Sequence, residues 1–140
     1  MKVVAGSDEL VVSAPQIFIN TGAESIIPDI PGVDKPFVYT STELLDRMTQ
    51  PKQLAIIGGG YIGLEFASTY AKLGTKVTVF ERGDALLARE DPAIARAATE
   101  ALQAQGIEIV FSVDVTAIEG ESTATIRTVN HDDYAGYDAV

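Results

Sequence analysis

The chain has 140 residues, 46% of them hydrophobic and 21% charged, with a net charge of −10, one histidine and no cysteine. That is one domain of ordinary globular composition, and its acidity, with ten Lys and Arg scattered along it, speaks against nucleic acid as a partner. Strand-sized apolar runs and the lack of a signal-peptide pattern argue against a membrane role and for a cytoplasmic location, and the absent cysteine excludes disulfides, thiolate metal sites and a cysteine nucleophile within these residues.

Lys2 to Ala5, Glu9 to Ser13 and Gln16 to Asn20 read as short strands, separated by Gly6-Ser7-Asp8 and Ala14-Pro15. From Gly22 to Pro36 the chain holds Pro28, Pro31, Pro36, Gly22 and Gly32, the composition of an irregular interdomain crossing. Thr40 with Glu43 three residues on forms a capping box, which starts a short helix carrying Leu44, Leu45 and Met48 and closed by Pro51.

Leu54 to Ile57 is an apolar strand that runs directly into Gly58, Gly60 and Gly63, spaced G-x-G-x-x-G, and a helical pattern follows until Gly74. A second strand, Lys76 to Phe80, delivers Glu81 roughly 20 residues beyond the first glycine, where an acid would meet an adenosine ribose. Gly58 permits a tight turn, Gly60 removes a side chain where the backbone must approach a pyrophosphate, and Gly63 lets helix and strand pack closely. Helix N–H groups and the positive end of the dipole then bind the anion, so the loop Gly58, Gly59, Gly60, Tyr61, Ile62 and Gly63 is the candidate dinucleotide site. Glu81 would accept hydrogen bonds from the ribose hydroxyls and repel a 2′-phosphate, which favours NAD(H) over NADP(H). The adjacent Arg82, and Arg89 further on, work in the opposite direction.

Asp91 and Pro92 open a third helix, for which Ile94, Ala97, Ala98, Ala101 and Leu102 are the expected buried stripe and Gly106 the stop. Ile107 to Phe111 is the third parallel strand. Val113 to Glu119 and Ala124 to Val129 alternate around a turn at Gly120 to Ser122 and read as antiparallel. His131, in the run NHDDY, is expected in a solvated turn; Asp132 and Asp133 beside it could ligate a hard cation, but no metal site is expected. Tyr137 to Val140 looks like the opening of a further strand. An edge left open there should be covered by the N-terminal strands or by another copy of the chain. The expected fold is α/β: a Rossmann-type parallel sheet flanked by helices, with an antiparallel β-meander and short strands ahead of it.

Ile17 to Gly32, IFINTGAESIIPDIPG, resembles the segment in which a TG motif closes the FAD domain of flavoprotein disulfide reductases and a proline-rich crossing ends in IPG. GGGYIGLEFAS is similar to the NAD(P) fingerprint of the same family, the pyridine nucleotide-disulfide oxidoreductases that include glutathione reductase, dihydrolipoamide dehydrogenase and mercuric reductase. FINTGA, YTSTELL and ARED most resemble the subgroup that reduces hypothiocyanous acid and confers resistance to reactive chlorine species. The resemblance covers nearly the whole chain. It implies that residues 1–34 are the tail of an FAD domain with its crossing, and 35–140 an NAD(P)-binding domain truncated at its C-terminal end.

The resemblance also implies roles for single residues. Tyr61 matches the aromatic that covers the nicotinamide pocket, although packing at a helix start would explain it too. Glu65 matches an acid facing the nicotinamide carboxamide and flavin, or is simply an acid suited to the first turns of a helix. Thr21 and Gly22 match the flavin-domain TG motif. The family's FAD-binding glycine motif, C-x-x-x-x-C pair and C-terminal dimerisation domain with a catalytic histidine are not in this sequence. No catalytic residue is therefore expected here, and the chain by itself should be inactive. Its expected partners are NADH and the remainder of a homodimeric FAD-dependent NAD(P)H:disulfide oxidoreductase, the parent enzyme. A stand-alone NAD-sensing module is the alternative, against which the proline-rich crossing argues.

Overall fold

In the computed structural model, which describes residues 1–129 and 132–140, eleven elements occur among the described residues. They are β1 (Lys2–Ala5), β2 (Asp8–Val11), α1 (Ser41–Leu45), β3 (Gln53–Ile57), α2 (Tyr61–Lys72), β4 (Lys76–Phe80), α3 (Pro92–Gln103), β5 (Glu108–Val110), β6 (Asp114–Glu119), β7 (Ala124–Val129) and β8 (Tyr134–Tyr137). The fold is α/β, and β3–α2–β4–α3–β5 is the expected alternation of parallel strands and helices. β3 pairs in register with β4 (Leu54 opposite Val77) and β4 with β5 (Val79 opposite Ile109), while β6, β7 and β8 form the antiparallel meander. No helix among the described residues is long and apolar enough to cross a membrane.

Two clusters of buried side chains lie on the two faces of the parallel sheet, because successive strand residues point in opposite directions. Leu54, Val77 and Val79 pack with Leu44 of α1, Leu64 of α2 and Leu102 of α3. Ala55 and Phe80 point the other way, into a cluster with Ile118 and Ile126 of the meander. Phe80 meets Tyr134 edge-on at 5.0 Å between ring centroids, which ties β4 to β8. The helices thus cover one face and the meander the other, and the ends of β3 and β4 between them carry the glycine loop and Glu81.

The last residues do more than open a strand. Tyr137 ends the third meander strand, and 138–140 then run parallel to β3: Asp138 N–H donates to the Gln53 carbonyl at 2.9 Å and Ala55 N–H to the Ala139 carbonyl at 3.0 Å. The outer edge of this segment is taken by the residues that directly follow the crossing, with Val140 N–H on the Phe37 carbonyl (2.9 Å) and Tyr39 N–H on the Val140 carbonyl (2.8 Å). The expectation that the N-terminal strands or another copy of the chain cover this edge is corrected, because residues 37–39 of the same chain take it. Among the described residues those strands pair only with each other, whereas Phe37 reaches the edge by burying its ring in the meander-side cluster. Further back in the crossing, the Pro31 carbonyl accepts from Ile118 N–H at 2.8 Å. Gly32, at φ +93°, has no room for a side chain beside the Ile118 carbonyl.

Three other expectations are corrected. Gln16 to Asn20 forms no strand; Phe18 and Ile19 are exposed, because among the described residues no strand lies beside them to complete a ladder. α1 ends at Leu45, and of its apolar residues only Leu44 is buried, since five residues make little more than one turn. In α3 the buried face is rotated to Ala95 and Leu102, with Ala98 and Thr99 half-buried between them, and Ile94 faces solvent. Positions 95, 98, 99 and 102 follow the helical repeat as well as the expected stripe does; contact with the sheet selects between them.

Candidate dinucleotide site

β3 delivers the chain to Gly58 at its C-terminal end, where φ is +110°, a left-handed value that only glycine adopts without strain. Gly58 N–H donates to the Phe80 carbonyl at 2.8 Å, so the turn begins while still bonded to β4. Gly60 is the N-cap of α2; it has no side chain to satisfy the first helical amides, and a Cβ there would meet open space. Gly63 is the packing glycine. A Cβ there would lie 2.5 Å from the Gly58 carbonyl oxygen and 3.1 Å from Ile56 Cγ2. The loop therefore presents unfilled N–H donors at a helix start, with room in front of them.

Glu81 closes the loop from the side. Its Oε2 accepts from Gly59 N–H at 2.7 Å, and its Oε1 accepts from Gly83 N–H at 2.6 Å. The Glu81 backbone is bonded on both sides to the neighbouring chain, N–H to the Val110 carbonyl and carbonyl to Val113 N–H. Each carboxylate oxygen keeps further acceptor capacity beyond one N–H, so the held carboxylate can still receive hydroxyls. Gly59 is hemmed in as well: a Cβ would stand 2.5 Å from Leu86 Cδ2 and 2.9 Å from Glu81 Oε2, and Leu87 N–H donates to its carbonyl at 3.2 Å. The loop after β4 wraps the glycine loop, with Leu86 fully buried beneath it.

Sequence reasoning assigned Gly59 to the site without a structural role and did not pick out Gly83. The available signals were a glycine at the x position between Gly58 and Gly60, which the motif does not need, and a glycine two residues beyond the acid. Tyr61 and Ile62 are exposed at the start of α2 (71% for Tyr61), and Glu65 is exposed four residues after Tyr61, on the same helix face. Arg82 is engaged elsewhere, its Nε lying 2.7 Å from Asp114 Oδ1.

A cleft of about 800 Å³ beside the loop is lined by Ile26, Ile27 and Pro28 of the crossing and by Gly60, Tyr61 and Ile62. That size suits a ligand site. Thr21 and Gly22 are exposed, outside any strand or helix, and do not line this cleft. His131 lies outside the described residues; of its acidic neighbours, Asp133 is ion-paired with Arg127. Among the described residues no group of three or more His, Asp or Glu could hold a metal ion.

A family profile described as pyridine nucleotide-disulphide oxidoreductase matches residues 2–140. The chain belongs to that family. Among curated members, the Escherichia coli K12 protein named "Probable pyridine nucleotide-disulfide oxidoreductase RclA" is 46% identical over 110 residues, which cover 78% of this chain and 25% of RclA. Mercuric reductase of Bacillus cereus is 41% identical over 108 residues, covering 77% of this chain and 17% of that enzyme. The solved Cu(II) complex of the HOCl-induced flavoprotein disulfide reductase RclA from Escherichia coli superposes with a TM-score of 0.80 at 40% identity, over 99% of this chain and 31% of that one. These relatives thus include a mercuric reductase and an HOCl-induced flavoprotein disulfide reductase. The chain spans about a quarter or less of the curated relatives it matches here.

Proposed function

We propose that this chain is the NADH-docking domain of a flavin-dependent disulfide oxidoreductase. One observation carries the reading: the Glu81 carboxylate is held by the Gly59 and Gly83 amides beside the uncapped start of α2. An acid fixed there, next to unfilled N–H donors with open space at Gly60, fits a dinucleotide by donor chemistry and by room. Gly58 to Gly63 hold the pyrophosphate, Glu81 the adenosine ribose, and Tyr61 and Glu65 the nicotinamide end. When bound, NADH supplies a hydride to the FAD of the whole enzyme, which in turn reduces a cysteine pair.

This chain's residues bind and orient the nucleotide; with no cysteine and no flavin-domain glycine motif they catalyse no thiol step themselves. Residues 1–34, with Thr21 and Gly22, belong on this reading to the flavin domain and its crossing, and 35–140 to the nucleotide domain. The whole protein is a cytoplasmic homodimer whose substrate is an oxidised species of the kind its reductase relatives act on. Calorimetric titration tests the site. NADH should bind more tightly than NADPH, and Glu81→Ala should weaken NADH about ten-fold or more, the scale of lost hydrogen bonds to a charged group. Tighter binding of NADPH, or unchanged NADH affinity in that variant, would overturn the assignment of Glu81.

A further inference from the structure

We infer that Asp114 sets the choice between the two nicotinamide nucleotides by holding Arg82 away from a 2′-phosphate. The inference rests on the reading of Glu81 as the ribose acid. Arg82 follows Glu81 directly, and a guanidinium beside the ribose acid is the group that would receive a 2′-phosphate. In the structure that guanidinium is committed: its Nε lies 2.7 Å from Asp114 Oδ1, at the first residue of β6.

The pair is exposed, at 83% and 53% for the two side chains, and exposed ion pairs are individually weak. Here the backbone on both sides is already fixed, so pairing orders only the side chains. Ser112 N–H donates to the Gly83 carbonyl at 2.9 Å and Val113 N–H to the Glu81 carbonyl at 3.2 Å, bracketing Arg82 against the residues that lead to Asp114. Ser112 takes a left-handed φ of +54° at the bend between β5 and β6, an unusual conformation for a residue other than glycine. Asp114 acts in two ways. It compensates the charge of Arg82, and it adds a carboxylate that a 2′-phosphate would meet on approaching that arginine. The 2′-hydroxyl of NADH carries no charge and meets neither effect.

NADH and NADPH titrations of the 140-residue chain, unaltered and as Asp114→Asn, Arg82→Ala and the double variant, test this as a cycle. Asp114→Asn should strengthen NADPH binding about two- to five-fold relative to NADH, the scale of an exposed pair. That gain should vanish when Arg82 is also alanine. An unchanged NADPH-to-NADH ratio in Asp114→Asn overturns the inference. So does a gain that persists without Arg82, because removing one negative charge would then explain it. Failure of the unaltered chain to bind NADH overturns instead the reading of the site on which the inference stands.

Discussion

Residues 1–29 and residues 30–140 are similarly rich in apolar side chains, yet they fold to different extents. In the first region β1 and β2 make a hairpin exposed at every position, and Phe18, Ile19 and Ile26 stand more than four-fifths in solvent. In the second, Leu54, Val79 and Ile126 are completely buried between two layers. The comparison separates local pattern from burial. An apolar run becomes a core strand only where another layer is available to cover it, and among the described residues no such layer covers residues 12–29.

Substitution in the two regions should therefore differ most at their largest apolar residues. Leu54→Ala should cost about 2–5 kcal/mol in urea unfolding, the range for emptying a buried leucine site, whereas Phe18→Ala should change stability by less than about 0.5 kcal/mol. Equal costs would break the comparison. Gly63→Ala should follow at about 1–3 kcal/mol, because the added methyl meets the Gly58 carbonyl oxygen and Ile56. Thermal denaturation compared with Gly60→Ala, where the methyl enters open space, would isolate that clash.

A smaller loss than at Leu54 or Gly63 is expected at the capping box of α1, where Thr40 N–H donates to Glu43 Oε2 at 2.7 Å and Glu43 N–H donates to Thr40 Oγ1 at 3.4 Å. Thr40→Ala should cost about 0.5–2 kcal/mol. Hydrogen bonds from the Thr40 backbone and then its side chain hold the Glu43 carboxyl below its ordinary value. Its contribution is thus complete above the ordinary glutamate range and is lost as pH falls through the lowered folded value. Hydrogen exchange at the α1 amides should accelerate relative to α2 on acidification through that window; a parallel change in both helices would contradict the box as the cause.

Much of the 30–140 region was legible in the sequence because its signals are local. The Thr40–Glu43 box, the Asp91-Pro92 helix start and the strand–glycine–helix succession each lie within a few residues and reappear as α1, α3 and the β3–α2 unit. What stayed hidden involves contacts between distant residues. The buried face of α3 could be either of two helical stripes until the sheet chose Ala95 and Leu102. The Gly83 amide matters only because the chain turns back after β4 to hold a carboxylate that also reaches Gly59.

By itself, then, the sequence determined the alternation of strands and helices, the glycine turn into α2 and the acid at the end of β4, since periodicity, capping and backbone freedom act over a handful of residues. Only the tertiary structure decided that 138–140 join β3, that Phe37 to Tyr39 close the sheet edge, and that Arg82 is paired with Asp114. Those outcomes depend on which hydrogen-bonding groups and charges meet once the two faces of the sheet have been covered, and residues far apart in the chain acquire that proximity only through packing.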